Sequence, residues 1–187
     1  MYDIEKIKRD LKNNLSEKRY NHSLLVAEEA RLLAKNYNYD EDKAYIAGLV
    51  HDIAKEFTDK ENQKYIDKYN LSKDLLKEEN KKIMHADIGS VAVKELYNMD
   101  DEISKAILYH TLGNINMDTL AKIVFIADKI GRKPNPTIDK YKSLAYKDLD
   151  LAIKAYLEDG NCFLSERGIK QHSDTIELLN YLKQKQA

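Results

Sequence analysis

The sequence predicts an all-α, single-domain protein. Three observations carry this: only 6 glycines and 2 prolines interrupt a chain of 187 residues rich in Lys, Glu, Leu and Ala; no stretch alternates polar and apolar residues at period two; and no Asn-Gly hairpin signal occurs. Near the start, Ile4, Ile7, Leu11 and Leu15 recur at helical intervals. Ser16 reads as the N-cap of a helix reaching about residue 36. The acidic cluster from Asp40 to Asp42 opens another that runs to about residue 57, and Thr58 with Glu61 forms a capping box for a third. Further helices are expected over about 85–98, 101–111, 119–130, 147–159 and 174–184. The Lys/Glu-rich run 73–82 reads as a solvated helical face or connector, and GRKPNPT at 131–137 is the clearest loop. Residues 1–187 are read as one domain, its core at about 19–130 and the helices of 147–187 belonging to it.

Charge and cysteine content narrow the functional classes. Lys plus Arg number 31 against 32 Asp plus Glu, which argues against a general nucleic-acid binder. The lone Cys162 excludes an internal disulfide and a zinc site built on several thiolates of one chain. Beside Phe163 and Leu164 it reads as a small buried hydrophobe. The N-terminus lacks the features of a signal peptide and no window has the apolar length of a membrane span, so a cytoplasmic, soluble protein is expected.

The chemistry concentrates in histidines and aspartates set among apolar residues. In AGLVHDIAKEF, residues 47–57, Ile46, Leu49, Val50 and Ile53 form a core stripe, while Gly48, His51, Asp52 and Lys55 share the opposite one, with Gly48 leaving a space that a metal ion fits. His22 follows Arg19 by three. His85 is followed on its face by Ile88, Gly89 and Ala92; His110 completes the stripe Ile103, Ala106, Ile107; and Asp128 lies one turn beyond Val124. Each alone is more often structural, but four histidines and two aspartates on different helices facing one interior point to a metal. His172 sits in a polar turn and reads as exposed. Imidazole and carboxylate without thiolate suit Fe, Mn, Co, Ni, Zn or Mg, in a five- or six-coordinate site or as two adjacent ions. Water on such an ion becomes a hydroxide nucleophile near neutral pH.

The order His22, then His51-Asp52, then Asp128 resembles the HD-domain superfamily of metal-dependent phosphohydrolases. Within it, HDIAKEF, HADIGSVA and ILYHTLGNINMDTLAKIVFIADKI are similar to the YqeK family, from about Arg19 to the final helix. The resemblance implies an all-helical, iron-dependent enzyme that hydrolyses diadenosine tetraphosphate symmetrically to two ADP. One or two ions are implied, with Mn, Co, Ni or Mg as substitutes. It implies His22, His51, Asp52 and Asp128 as metal ligands and Asp52, His85 and His110 as catalytic groups, the two histidines contacting phosphate or holding a second ion. Nucleotide contacts would come from Arg19, Lys55, Glu56, Phe57, Thr58, His85, His110, Thr111 and Arg132, and from Gln171, His172, Asp174 and Thr175 in QHSDT.

One departure stands out: the family follows its ADKI with an acidic residue, a proline and then an arginine, whereas here Arg132 and Lys133 arrive early. Thr58, as an N-cap, could also offer backbone N–H groups to an anion, with simple capping the alternative. The partner is then a small nucleotide, with no nucleic acid or membrane, and a homodimer is compatible with the sequence. Rival readings are another HD-type activity on nucleoside mono- or triphosphates or guanosine polyphosphates, and a catalytically silent nucleotide-sensing module.

Overall fold

The computed structural model describes residues 2–185, which form ten α-helices and no strand. The helices are α1 (Ile4–Asn14), α2 (Glu17–Asn36), α3 (Glu41–Val50), α4 (Asp59–Tyr69), α5 (Met84–Tyr97), α6 (Asp101–Tyr109), α7 (Thr119–Ile130), α8 (Pro136–Ala145), α9 (Leu149–Ser165) and α10 (Ser173–Lys185). Their starts follow from local chemistry. Asp3, Ser16, Asp40, Thr58, Asp100, Asp118, Asn135 and Asp148 each accept a backbone N–H of the following first turn, satisfying donors that a helix leaves free. The Thr58–Glu61 capping box is complete. Asn70 and Asn98 end α4 and α5 in the left-handed region, with φ of 50° and 51°.

α7 is the central element. It packs against α2, α3, α6, α8 and α9, and Leu120, Ile123, Val124, Phe125 and Ile126 within it are wholly buried. Removing such side chains from water contributes about 1.5–3 kcal/mol each before chain entropy is counted. α2 and α3 form the closest helix pair, α5 and α6 a second, and α10 packs on α9, which itself lies against α7. Among the described residues, no helix is long and apolar enough to cross a membrane.

The structure departs from the sequence reading in several places. The regular helix of α3 ends at Val50 rather than near residue 57. Beyond it the chain continues as turns with Ile53 N–H to Val50 O at 3.0 Å and Lys55 N–H to Asp52 O at 2.9 Å, the tighter three-residue spacing. The run 46–54 is buried on every side, so no solvent-facing stripe opposes its core stripe. Gly48 is not a space for a metal: a Cβ there would lie 2.9 Å from the Ala27 Cα and 3.0 Å from the Val26 carbonyl oxygen, so the glycine lets α2 and α3 approach. GRKPNPT is a loop only to Asn135, after which α8 begins with Pro136 in its first turn, where the missing N–H costs nothing. Residues 73–82 hold two short 3-10 turns, Lys73–Leu76 and Glu78–Asn80. Cys162 is exposed, because α9 runs on to Ser165 past the end of the core.

Candidate metal centre

Five separate segments deliver the cluster: His22 from α2, His51 and Asp52 from the turn after α3, His85 from the start of α5, His110 from the end of α6, and Asp128 from the last turns of α7. His51, Asp52, His85, His110 and Asp128 are all buried, and His22 is partly so. Their polar atoms converge. His22 Nε2 is 2.9 Å from Asp128 Oδ1; His51 Nε2 is 3.4 Å from Asp52 Oδ2 and 3.6 Å from Asp128 Oδ1; and His85 Nε2 is 3.2 Å from Asp52 Oδ1. Two groups have ligand atoms all within 4.8 Å of one another: His22, His51 and Asp52, and then Asp52, His85 and His110. Asp52 belongs to both.

The backbone fixes the imidazoles. His51 Nδ1–H donates to the Gly48 carbonyl at 2.7 Å and His110 Nδ1–H donates to the Ile107 carbonyl at 2.6 Å, each one turn back. Both rings therefore turn Nε2 inward, since a backbone carbonyl holding the other ring nitrogen fixes the orientation and tautomer that a metal-binding histidine needs. His51 Nε2 is buried without a hydrogen-bond partner. A ring nitrogen aimed between two carboxylates is a place for positive charge: without metal a proton occupies Nε2, and a metal ion would take the proton's place.

Electrostatics describe the same centre. Burial alone would depress the His51 imidazole, but Asp52 and Asp128 overcome it and push it up to about 10. Burial would raise Asp52, yet His51, His110 and His85 hold its carboxyl far below the usual range. Asp128 is likewise held low against burial, first by Lys129 and then by His22 and His51. Burial brings His85 down to about 4 and lowers His110 as well. These two rings are thus neutral at pH 7. With Lys55 Nζ donating to His85 Nδ1 at 3.1 Å, His85 Nε2 carries the proton and faces Asp52 and His110.

Cations ring the cluster. Arg19 NH1 donates to Asp52 Oδ2 at 2.6 Å, and Arg132 reaches Asp128 through Nε to its carbonyl at 3.1 Å and NH2 to Oδ1 at 3.3 Å. The early arginine of GRKPNP thus bears on the centre itself. Thr111 Oγ1 lies 3.3 Å from His85 Nε2 and 3.2 Å from His110 Nε2.

Other expected residues lie elsewhere. Glu56 binds the Ser16 backbone N–H at 2.5 Å and hydroxyl at 2.7 Å, Phe57 stacks on Tyr65 with ring centroids 5.7 Å apart, and Thr58 gives both its N–H and its hydroxyl to Glu61. These contacts tie the turn after α3 to α2 and α4, and Thr58's own N–H is spent within its capping box. Gln171, His172, Asp174 and Thr175 adjoin the centre without touching it, Thr175 Oγ1 donating to the Leu112 carbonyl at 2.9 Å. His172 is exposed, as expected.

Lys129 escaped the sequence reading. Its Nζ contacts Asp128 Oδ2 at 2.7 Å and the His110 carbonyl at 3.3 Å, joining α7 to the end of α6. The available signal was a lysine inside the apolar run of α7, which must find a buried anion.

Comparison with known proteins agrees with this geometry. The HD domain family model matches residues 19–133. The chain is 38% identical to the symmetrical bis(5'-nucleosyl)-tetraphosphatase of Staphylococcus aureus, over 96% of this chain and 94% of that protein. It is 34% identical to the protein of the same name from Bacillus subtilis, over 92% and 93%. A crystal structure from Clostridium acetobutylicum, described as a predicted HD superfamily hydrolase involved in NAD metabolism, superposes with a TM-score of 0.89 at 35% identity, covering 99% of both chains. With its histidines and aspartates gathered as above and most of its length matched, the chain belongs to the HD domain family of metal-dependent hydrolases.

Proposed function

We propose that this protein hydrolyses diadenosine tetraphosphate and related dinucleoside polyphosphates symmetrically, giving two ADP. The convergence of His22, His51, Asp52 and Asp128, beside His85, His110 and four cations, is the observation that carries the reading. The names of the relatives from Staphylococcus aureus and Bacillus subtilis support the substrate. In the reaction, water adds to an inner phosphorus, the central P–O anhydride bond breaks, and the second ADP leaves.

His22, His51, Asp52 and Asp128 are the proposed ligands of a divalent ion, and Asp52 with His85 and His110 would hold a second. Iron is the proposed metal, as the family resemblance implies; the imidazole and carboxylate donors without thiolate are compatible with it, as with Mn, Co, Ni or Mg. A bound ion supplies charge against phosphate oxygens and lowers the pKa of water beside it. Arg19, Lys55, Lys129 and Arg132 offset the remaining charge of a tetraphosphate. With one ion bound, His85, neutral with its proton on Nε2, donates a hydrogen bond or proton to the developing oxyanion; with a second ion, Nε2 is instead a ligand. A cytoplasmic setting is part of this proposal; among the described residues no helix is long and apolar enough to cross a membrane.

The test is product analysis of anaerobically purified protein incubated with diadenosine tetraphosphate. ADP as the sole nucleotide product is expected. AMP with ATP would refute the symmetrical cut, and nucleotide binding without turnover would favour a sensing module.

A further inference from the structure

We propose that Glu56 is a positioning residue of the phosphate site: it clamps the start of α2 and thereby aims the Arg19 guanidinium, without touching the nucleotide itself. This rests on the nucleotide reading above and adds to it the contact that sets one of its cations.

The contacts form a ladder. Ser16, Arg19 and His22 follow one another at three-residue intervals along one side of α2 and its cap, and each meets a carboxylate of another segment. Glu56 accepts the Ser16 backbone N–H at 2.5 Å and the Ser16 hydroxyl at 2.7 Å. Asp52 Oδ2 accepts from Arg19 NH1 at 2.6 Å, and Asp128 Oδ1 lies 2.9 Å from His22 Nε2. Asp52 and Glu56 both belong to the turns after α3, so that segment grips the end of α2 at two successive points.

The grip at Ser16 bears on the backbone. Glu56 engages one oxygen with the Ser16 N–H and the other with its hydroxyl, which fixes the helix end as well as one side chain. The same Ser16 hydroxyl accepts the Arg19 backbone N–H at 3.4 Å, linking the clamp to the arginine.

Arg19 is the residue with something to lose. Its side chain is 32% exposed and Asp52 engages only NH1; among the described residues the other N–H groups of the guanidinium have no partner. A guanidinium holds its donors in a rigid fork, and a phosphate meets two of them together only when the fork is aimed at it. Asp52 anchors one nitrogen, and the direction of the rest follows the backbone of α2. A misplacement of about 1 Å is enough to cost about 100-fold in rate at such a site. Charge favours the same assignment: a carboxylate facing a polyphosphate repels it, whereas one turned onto Ser16 leaves Arg19 to meet the phosphate.

A double-mutant cycle tests the proposal by calorimetric titration of the metal-loaded full chain with ADP, in wild type, Glu56→Ala, Arg19→Met and the two combined, with metal content measured for each. Glu56→Ala should weaken ADP about fivefold, inside the range for residues coupled in one network. Arg19→Met should weaken it further, and the combined variant should match Arg19→Met alone. Glu56→Gln keeps one acceptor for Ser16 and should recover part of the loss. Should Glu56→Ala fail to fold, Glu56→Gln in the same two backgrounds carries the test. A loss of equal size with and without Arg19 would make Glu56 a direct contact or a general support of the fold, and either overturns the proposal. Unchanged affinity in Glu56→Ala, or a loss that only follows metal content, overturns it as well. A wild type that binds no ADP would sink both this and the proposed reaction. One that binds ADP and obeys the cycle, but releases none from diadenosine tetraphosphate, would sink the reaction and leave the positioning role standing.

Discussion

His22 Nε2 meets Asp128 Oδ1 at 2.9 Å across 106 residues of chain, joining α2 to α7 at the centre of the molecule. The contact exists because α7 is buried against α2 along its apolar face, so packing of leucine and isoleucine side chains decides where a carboxylate and an imidazole meet. Function here depends on the core.

Replacing Asp128 tests that dependence. Asp128→Asn keeps the shape but removes the charge facing His22, His51, Lys129 and Arg132. Bound metal should fall to background and kcat by at least about 100-fold, at or beyond the usual effect of losing an outer partner. Metal analysis beside steady-state kinetics would show it, with far-UV circular dichroism unchanged.

Lys129→Met should destabilise the metal-free protein by about 3–5 kcal/mol, because it strips a buried carboxylate of its cation. Saturating metal should restore part of that loss, since a cation at Asp128 replaces the missing charge. Urea unfolding with and without metal gives both numbers.

Much of this was legible in the sequence. The caps at Ser16 and Thr58 and the helix over Thr119–Ile130 fall where local chemistry places them, and His22, His51, Asp52, His85, His110 and Asp128 do share one interior. Less legible was whatever depended on tertiary neighbours. Gly48 looked like room for an ion because the approach of Ala27 is invisible along the chain. The bond from Ser16 to Glu56 spans 40 residues and is likewise invisible along the chain. α8 was hidden by Pro136, which reads as a loop residue until Asn135 is seen to cap it.

Gly48→Ala should lower stability by about 1–3 kcal/mol, the usual cost of overpacking. The added carbon meets backbone, the Ala27 Cα and Val26 carbonyl, so α2 and α3 must separate. Helix propensity alone predicts the reverse, a gain of about 1 kcal/mol. The sign of the change in urea midpoint decides between them.

Asp150 bridges two other elements, meeting Lys122 of α7 at 2.7 Å and Lys185 of α10 at 2.6 Å. Burial would raise its carboxyl, but the two ammonium groups hold it below the ordinary 3.8. A depressed folded pKa contributes stability that is fully present above 3.8 and is lost as pH falls through the folded value. Asp150→Asn should therefore cost about 1 kcal/mol at pH 7, given the partial exposure of both lysines. The gap from wild type should close as pH drops below 3.8, followed by thermal melts across that range.

The metal centre itself is tested most directly by anomalous X-ray scattering at the iron edge, from crystals grown anaerobically with ferrous iron. The account predicts a strong peak bounded by the His22 and His51 rings and the Asp52 and Asp128 carboxylates. A map with no peak there, or with its metal outside that cluster, would contradict it.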